Sequence, residues 1–242
     1  MKKIIGLMLL ISIILTSVAC AEEFSVRGNI DFSTTKEEIM RIEEANGLEG
    51  EIAPTGNDFY TENSILYEGI VFANSEDTDV IYYFDEDDKL VSIMYMFDWF
   101  EDEETAIEQY NTLNSTLESK YGSSIASDDK YININTDDVA NDVVDYETSA
   151  WFNESLGDGN EKTVNPMYFE QRLVAIEGGY VDVKITLFNY KFTMVANMGG
   201  IKMPFVNEYY PMAISYTYCT EEQVQAVEMA IQEAQDTLDS DL

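Results

Sequence analysis

Carboxylates are the most numerous side chains in this sequence that could do chemistry. The chain of 242 residues holds 47 Asp and Glu against 13 Lys and Arg, and it contains no histidine. Without histidine, a Ser-His-Asp or Cys-His catalytic arrangement and a His-bearing zinc site are impossible. The sequence has no glycine-rich phosphate loop either. Two chemistries remain for the acids, namely glycoside hydrolysis by a pair of carboxylates and calcium binding through carboxylate oxygens.

Two acidic runs come closest to a metal site. The run Asp85–Asp88 lacks the EF-hand pattern, because Lys89 stands where a third ligand would be needed and no glycine follows. We interpret it as a solvated hairpin turn. The run Asp98–Glu104 is interpreted as a helix start, where the helix dipole favours acids. Asp137-Asp138 and Asp158-Gly159-Asn160 are interpreted as loops. The sequence therefore nominates no metal ligand, no cofactor and no catalytic carboxylate.

The N-terminal residues have the three parts of an export signal. Lys2 and Lys3 precede an apolar run from residue 4 to 15, which is short for a membrane helix of ~20 residues. Two processing routes fit. Cleavage after Ala21 would release a secreted chain, whereas a lipobox ending at Cys20 would leave that cysteine lipidated at the outer face of the cell membrane. We expect an extracytoplasmic protein with a signal peptide over residues 1–21 and no transmembrane span.

The other cysteine lies at the end of an alternating run. Cys219 closes the predicted strand 211–219. We interpret it as a small buried hydrophobe, and the alternative is a reactive or intermolecular thiol.

Helices and strands that could position these residues follow from hydrophobic periodicity. In the first half, a helix is predicted from about 35 to 46, with Thr34 as N-cap and Glu37 completing a capping box. Strands are predicted at 65–73, 80–84 and 89–97, and a short one at 24–27. A strong amphipathic helix is predicted over 103–121, because Ile107, Tyr110 and Leu113 begin a line of apolar residues at three- and four-residue spacing.

The second half is predicted to be mostly strand. Gly178-Gly179 predicts a hairpin between strands 168–177 and 180–192. Further strands are predicted at 131–135, 143–153 and 211–219, a polar loop at 156–166, a connection at 194–204 and a final helix at 221–238. Because strands cluster rather than alternate with helices, the class is α+β, with antiparallel sheets packed by amphipathic helices. We expect two subdomains, 22–122 and 123–242, each ending in a helix.

The first half also resembles a known group of sequences. The string from Phe24 to Ile39, followed by Tyr82 to Asp85 and by Lys89-Leu90, resembles uncharacterised small secreted proteins of gut Firmicutes over residues 24–122. A helix packed on an antiparallel sheet also resembles the fold of β-lactamase inhibitor protein and of small envelope-assembly lipoproteins. Those proteins bind other proteins, so the resemblance implies a binding role and no catalytic residue.

Charge and aromatic content complete the functional expectation. The formal net charge of −34 repels nucleic acid and anionic lipid and would steer a basic extracytoplasmic protein toward the chain. Aromatic residues in the strands indicate either sheet packing or an exposed partner surface, and the apolar segment 198–205 either folds back on the core or forms a contact. We therefore expect a non-catalytic binding or interaction module, and the alternative is an extracytoplasmic hydrolase that uses paired carboxylates. The aromatic strand residues are Tyr82, Phe84, Tyr95, Phe97, Tyr216 and Tyr218.

Overall fold

The computed structural model describes residues 24–52, 63–73, 75–97, 99–124, 126–127, 130–132, 143–145, 152–157, 160–198 and 201–226. The predicted signal peptide, with Cys20, lies outside these residues. Within them, no helix has both the length and the apolar character needed to cross a membrane. Helices α1 and α2 cover Lys36–Ala45 and Glu103–Tyr121, and a third helix begins at residue 221 and is described to residue 226. The strands are β1 (Glu51–Ile52), β2 (Ser64–Phe72), β3 (Ser75–Phe84), β4 (Leu90–Phe97), β5 (Ala126–Ser127), β6 (Lys130–Ile132), β7 (Val143–Asp145), β8 (Phe152–Gly157), β9 (Asn160–Ile176), β10 (Gly179–Met198), β11 (Ile201–Tyr209) and β12 (Met212–Cys219).

One antiparallel sheet of ten strands organises the described residues. Its order is β1–β2–β3–β4–β12–β10–β9–β5, with β11 also paired to β10 and β8 to β9, while β6 and β7 form a separate pair. The α+β class is confirmed. Strand β4 of the first half lies beside β12 of the second half. The two predicted subdomains therefore share one sheet. The division of the chain between residues 122 and 123 stays a prediction.

The main core lies between one face of the sheet and helices α1 and α2. Side chains alternate along each strand, so Val181, Val183 and Ile185 of β10 all point to this face. Helix α2 packs against β9 and β10. It buries Tyr110, Leu113 and Leu117, as its spacing predicted, together with Ala106. We call this face of the sheet the core face.

Parts of the opposite face are buried as well. Cys219 at the end of β12 is fully buried, and burial raises the pKa of its thiol to about 12. The interpretation of Cys219 as a small buried hydrophobe is confirmed. Thr220 and Gln223 form a capping box at the start of the third helix, whose Val224 is also buried.

The predicted start of α1 was wrong by one residue. Thr35, not Thr34, is the N-cap, and its capping partner is Glu38 rather than Glu37. Both threonines have a glutamate three residues later, so the pattern alone does not separate them. The preceding turn decides, because the Thr34 hydroxyl accepts a hydrogen bond from the backbone N–H of Asp31 at 3.0 Å.

Three predictions about extended segments were also wrong. Residues 24–27 do not form a strand; Arg27 makes a single bridge with Ile30 across a turn at residues 28 and 29. The predicted polar loop 156–166 contains the end of β8 and the start of β9, which pair with each other. The predicted connection 194–204 contains the end of β10 and the start of β11. In the last two cases cross-strand pairing overrides weak local propensity, as is common in sheets.

Candidate functional site

A hairpin of β10 and β11 extends the sheet beyond the core. Strands β12 and β11 pair with the same edge of β10 in one continuous register, from Tyr180↔Cys219 to Met198↔Ile201. The side-chain alternation of the core therefore continues along the hairpin. We define the arm as residues 188–198 of β10 together with β11, and β9 and β8 flank it on the β10 side.

One side of the arm is apolar and exposed. The side chains on this side, opposite the core face, carry no charge, although 47 of the 242 residues in the chain are acidic. Met194 and Phe205 face each other across the two strands and are 43% and 45% exposed, and Met203 is 45% exposed. We call this side the arm face. Its members are Tyr190, Phe192, Met194, Ala196, Met203, Phe205, Asn207 and Tyr209.

The other side of the arm is mainly polar. Lys191 and Glu208 are directly opposite each other and form an ion pair at 3.0 Å. The Asn189 side chain also donates a hydrogen bond to Glu208 at 2.9 Å, and these two contacts lower the pKa of the Glu208 carboxyl. Val206 is an exposed apolar residue on this side. The arm is therefore amphipathic, with its charges collected on the side away from the arm face.

An aromatic cluster lies where the arm face joins the sheet. The Trp99 ring packs against Tyr190 and Tyr209, with ring centroids 4.6 Å and 5.6 Å apart. The two tyrosines are themselves cross-strand neighbours. Trp99 is 44% exposed, so the indole is a surface group rather than a core group. We call these three residues the aromatic triad.

A buried polar cluster under α1 has a structural role. Glu43 is fully buried and lies 2.9 Å from Nε of Arg27, at an angle that makes the contact an ion pair rather than an aligned hydrogen bond. The Tyr82 hydroxyl and the Asn46 amide donate hydrogen bonds to the same carboxylate. Burial and the nearby Glu43 charge hold the pKa of Tyr82 far above its usual range. The carboxylate is thus fully engaged in fixing α1 to β3.

A second buried carboxylate lies on the opposite face of the sheet. Asp182 accepts a hydrogen bond from the Gln171 amide at 2.9 Å and pairs with Lys184 at 2.8 Å. Lys184 is the next residue on the same face of β10, so one strand supplies both charges. Like Glu43, Asp182 therefore contacts both a cation and a hydrogen-bond donor.

These two carboxylates cannot act as a hydrolytic pair. Glu43 contacts the core face above β3, whereas Asp182 lies on the opposite face of β10, three strand positions away. Three strand spacings correspond to roughly 14 Å, beyond the ~5–9.5 Å that separates paired carboxyl groups in glycosidases. Within the part of the chain that the structure describes, Glu43 and Asp182 are the buried carboxylates.

Arg172 fixes the end of α2 to the sheet. The residue is 2% exposed, and its guanidinium donates hydrogen bonds to the Gly122 carbonyl at 3.0 Å and to the Asn114 side chain at 2.7 Å. Burial lowers the pKa of this guanidinium. Both partners belong to the C-terminal half of α2 and its cap, so Arg172 positions the helix that covers the core.

The acidic runs behave as turns and caps where they are described. Asp85 accepts hydrogen bonds from the backbone N–H groups of Asp87 and Lys89, both at 2.9 Å, which confirms the hairpin turn. Asp102 is the N-cap of α2 and accepts a hydrogen bond from the Thr105 backbone N–H at 2.8 Å, which confirms the helix start. Asp98, Asp137, Asp138, Asp158 and Gly159 lie outside the described residues. The described residues contain no group of acids or cysteines arranged to hold a metal ion.

The aromatic residues of the central strands pack the sheet. Five of the six singled out from the sequence are buried, and Tyr218 is half-buried. The exposed aromatics of the described residues are Trp99, Tyr168 and Phe205. Phe205 lies in the segment 198–205, for which a contact was one of the two alternatives, whereas the sequence analysis missed Trp99, Tyr190 and Tyr209. The signal was partly present, because Tyr190, Phe192 and Met194 alternate with Lys191 and Thr193. Gly199, Gly200 and Pro204 favoured the interpretation as a connection.

Comparisons with known proteins add no assignment. No protein-family model matches the chain, and no curated protein matches its sequence.

Proposed function

We propose that this protein is an exported, non-catalytic binding module that holds a protein partner on its arm face. The observation that carries the proposal is the combination of exposed apolar side chains and absence of charge on the eight positions of the arm face. In a chain with a net charge of −34, an uncharged apolar surface of this kind is the part best suited to exclude water against a partner.

The composition of the arm face is that of a protein interface. Aromatic residues and methionine are enriched at interfaces, and methionine adapts its shape to irregular partner surfaces. Large side chains of this kind have a surface of about 150–250 Å². At their exposures, Met194, Met203 and Phe205 each leave roughly 80 Å² in water, and covering that surface contributes about 2 kcal/mol per residue.

The proposed partner is a basic extracytoplasmic protein. The negative charge of the chain would accelerate its association with a basic partner and disfavour nucleic acid and anionic lipid. The resemblance to protein-binding folds, with a helix on an antiparallel sheet, supports the same role. Export places the module outside the cytoplasm, either secreted after cleavage at Ala21 or anchored through a lipidated Cys20.

The arm face is tested by a pair of matched double variants. The chain carrying Met203→Ser and Phe205→Ser is compared with one carrying Met40→Ser and Val71→Ser, whose side chains are 43% and 71% exposed elsewhere. Both are immobilised and exposed to envelope and culture-medium proteins of the native host, and each retained protein is then purified and titrated against both. We expect the arm variant to lose at least tenfold in affinity and the control variant to retain wild-type affinity. Equal affinity of both variants for every retained protein would refute the proposal.

Export is tested separately. N-terminal sequencing and mass spectrometry of protein recovered from the native host are expected to show a chain that begins at Glu22 or at a lipidated Cys20. Recovery of the intact chain from Met1 in the cytosol would contradict export while leaving the arm face untested by that experiment.

A further inference from the structure

We propose that the aromatic triad is a subsite for an arginine side chain of the partner, at the end of the arm face nearest the central sheet. This inference rests on the proposed function, because it assigns one part of the arm face to one kind of side chain. A guanidinium is planar and weakly hydrated, and it stacks on aromatic rings while keeping its hydrogen-bond donors at its edge.

The geometry of the triad is fixed by the backbone around it. Phe100 and Tyr210 form a β-bridge, and the Tyr210 backbone N–H donates to the Phe100 carbonyl at 2.9 Å. Trp99 and Tyr209 immediately precede these two residues. Tyr190 is held opposite Tyr209 by the β10–β11 ladder. Three rings from three chain segments therefore meet at a rigid position, with interplanar angles of 55° and 61° to the indole.

Two exposed acidic residues follow the indole closely in sequence. Glu101 and Asp102 follow Trp99 in sequence at the start of α2, and both are exposed. Negative charge beside an aromatic face adds to the attraction of its ring electrons for a cation.

The negative charge of the protein favours an arginine over two other possible occupants of the triad, a neutral sugar and a second copy of this chain. A neutral sugar could also stack on the rings and donate hydrogen bonds to the carboxylates, but it would gain no charge–charge attraction from them. A second copy of this chain would bring a net charge of −34 and only 13 Lys and Arg, so electrostatic repulsion opposes it. An arginine from a basic partner satisfies both the rings and the carboxylates.

The experiment measures Trp99 emission directly. The full chain carrying Trp151→Phe has Trp99 as its single tryptophan. It is titrated at constant ionic strength with N-acetyl-arginine amide and with N-acetyl-citrulline amide, which has nearly the same shape and no charge. We expect a saturable change with the arginine probe and an apparent dissociation constant at least fivefold lower than that for the citrulline probe.

Matched variants separate the triad from diffuse attraction to an acidic protein. Glu101→Gln is expected to weaken the arginine probe at least twofold and to leave the citrulline probe unchanged, whereas Glu86→Gln, an equally exposed acid in the β3–β4 turn, is expected to change neither. Tyr209→Leu is expected to weaken the arginine response, with far-UV circular dichroism confirming the fold. Because Glu101 is exposed, Glu101→Gln is not expected to unfold the chain, and this variant tests the proposal even if Tyr209→Leu unfolds.

The outcomes distinguish this inference from the proposed function. Equal constants for the two probes, or a saturable response to cellobiose together with none to the arginine probe, would overturn the arginine subsite. Equal weakening by Glu86→Gln and Glu101→Gln would overturn it as well, since attraction would then be diffuse. In each case a loss of partner affinity in the Met203→Ser, Phe205→Ser chain would still support the binding module.

Discussion

The buried ion pair of Glu43 and Arg27 predicts that a double substitution lowers the free energy of unfolding less than the single substitution of Arg27. Arg27→Met leaves a fully buried carboxylate without its cation. Breaking a buried pair from one side costs about 3–5 kcal/mol, and we expect about 3 kcal/mol because the Arg27 side chain is 20% exposed and admits some water. For a chain of this size, such a loss lowers the melting temperature by roughly 6–12 °C.

Adding Glu43→Gln to Arg27→Met is expected to restore stability. The amide removes the uncompensated charge and still accepts the hydrogen bond from Tyr82. The double variant should therefore lie about 1–2 kcal/mol below wild type, and the coupling between the two sites should be about 2 kcal/mol. Urea unfolding at pH 7, followed by circular dichroism, gives these free energies from the midpoint at constant slope.

The exposed pair Lys191 and Glu208 provides the control. Its side chains are 47% and 38% exposed, so the same cycle of substitutions should give a coupling below about 1 kcal/mol. If Arg27→Met and Glu43→Gln destabilise additively, or if both pairs give the same coupling, the cluster under α1 is not the desolvated ion pair that the geometry indicates.

Three further predictions concern the buried tyrosines, the hydrogen bonds by which Arg172 fixes α2, and the β9–β10 hairpin. Burial raises the pKa of Tyr67 to about 12 and raises that of Tyr82 further, so the free energy of unfolding should be fully retained below the ordinary tyrosine pKa of 10.0 and fall as the pH rises above it. The full tyrosinate absorbance of the chain should be reached only as it unfolds, and full absorbance while the circular dichroism is still native would contradict this. Arg172→Ala should lower the free energy of unfolding in urea by about 3 kcal/mol, whereas Asn114→Ala, which removes one hydrogen bond of Arg172, should lower it by about 1 kcal/mol. Equal losses would refute the role of Arg172 in fixing α2 to the sheet. Gly179→Ala should cost about 2 kcal/mol, because its Cβ would lie 2.6 Å from the Cys219 carbonyl oxygen, and an unchanged urea midpoint would refute that close contact.

The sequence by itself determined the elements whose signals all lie within one short segment of the chain. The bounds of α2 were predicted correctly, because an acidic start, apolar residues at helical spacing and Gly122 all agree along one segment. The strand β4 and the α+β class followed from alternation and clustering in the same way. The acidic turn at Asp85 and the burial of Cys219 were likewise predictable from neighbouring residues alone.

Tertiary pairing decided the features on which the function depends. The sequence has the two-residue period of the arm, yet only the register of β11 against β10 places Met194 opposite Phe205 and brings Tyr190 beside Tyr209. Trp99 joins them from a segment 91 residues before Tyr190 and 110 residues before Tyr209, through the bridge between Phe100 and Tyr210. The partners of Glu43, Asp182 and Arg172 were likewise set by packing. Local propensity acts over a few residues, whereas a surface is made by groups distant in sequence, so only the folded sheet determines which side chains share it.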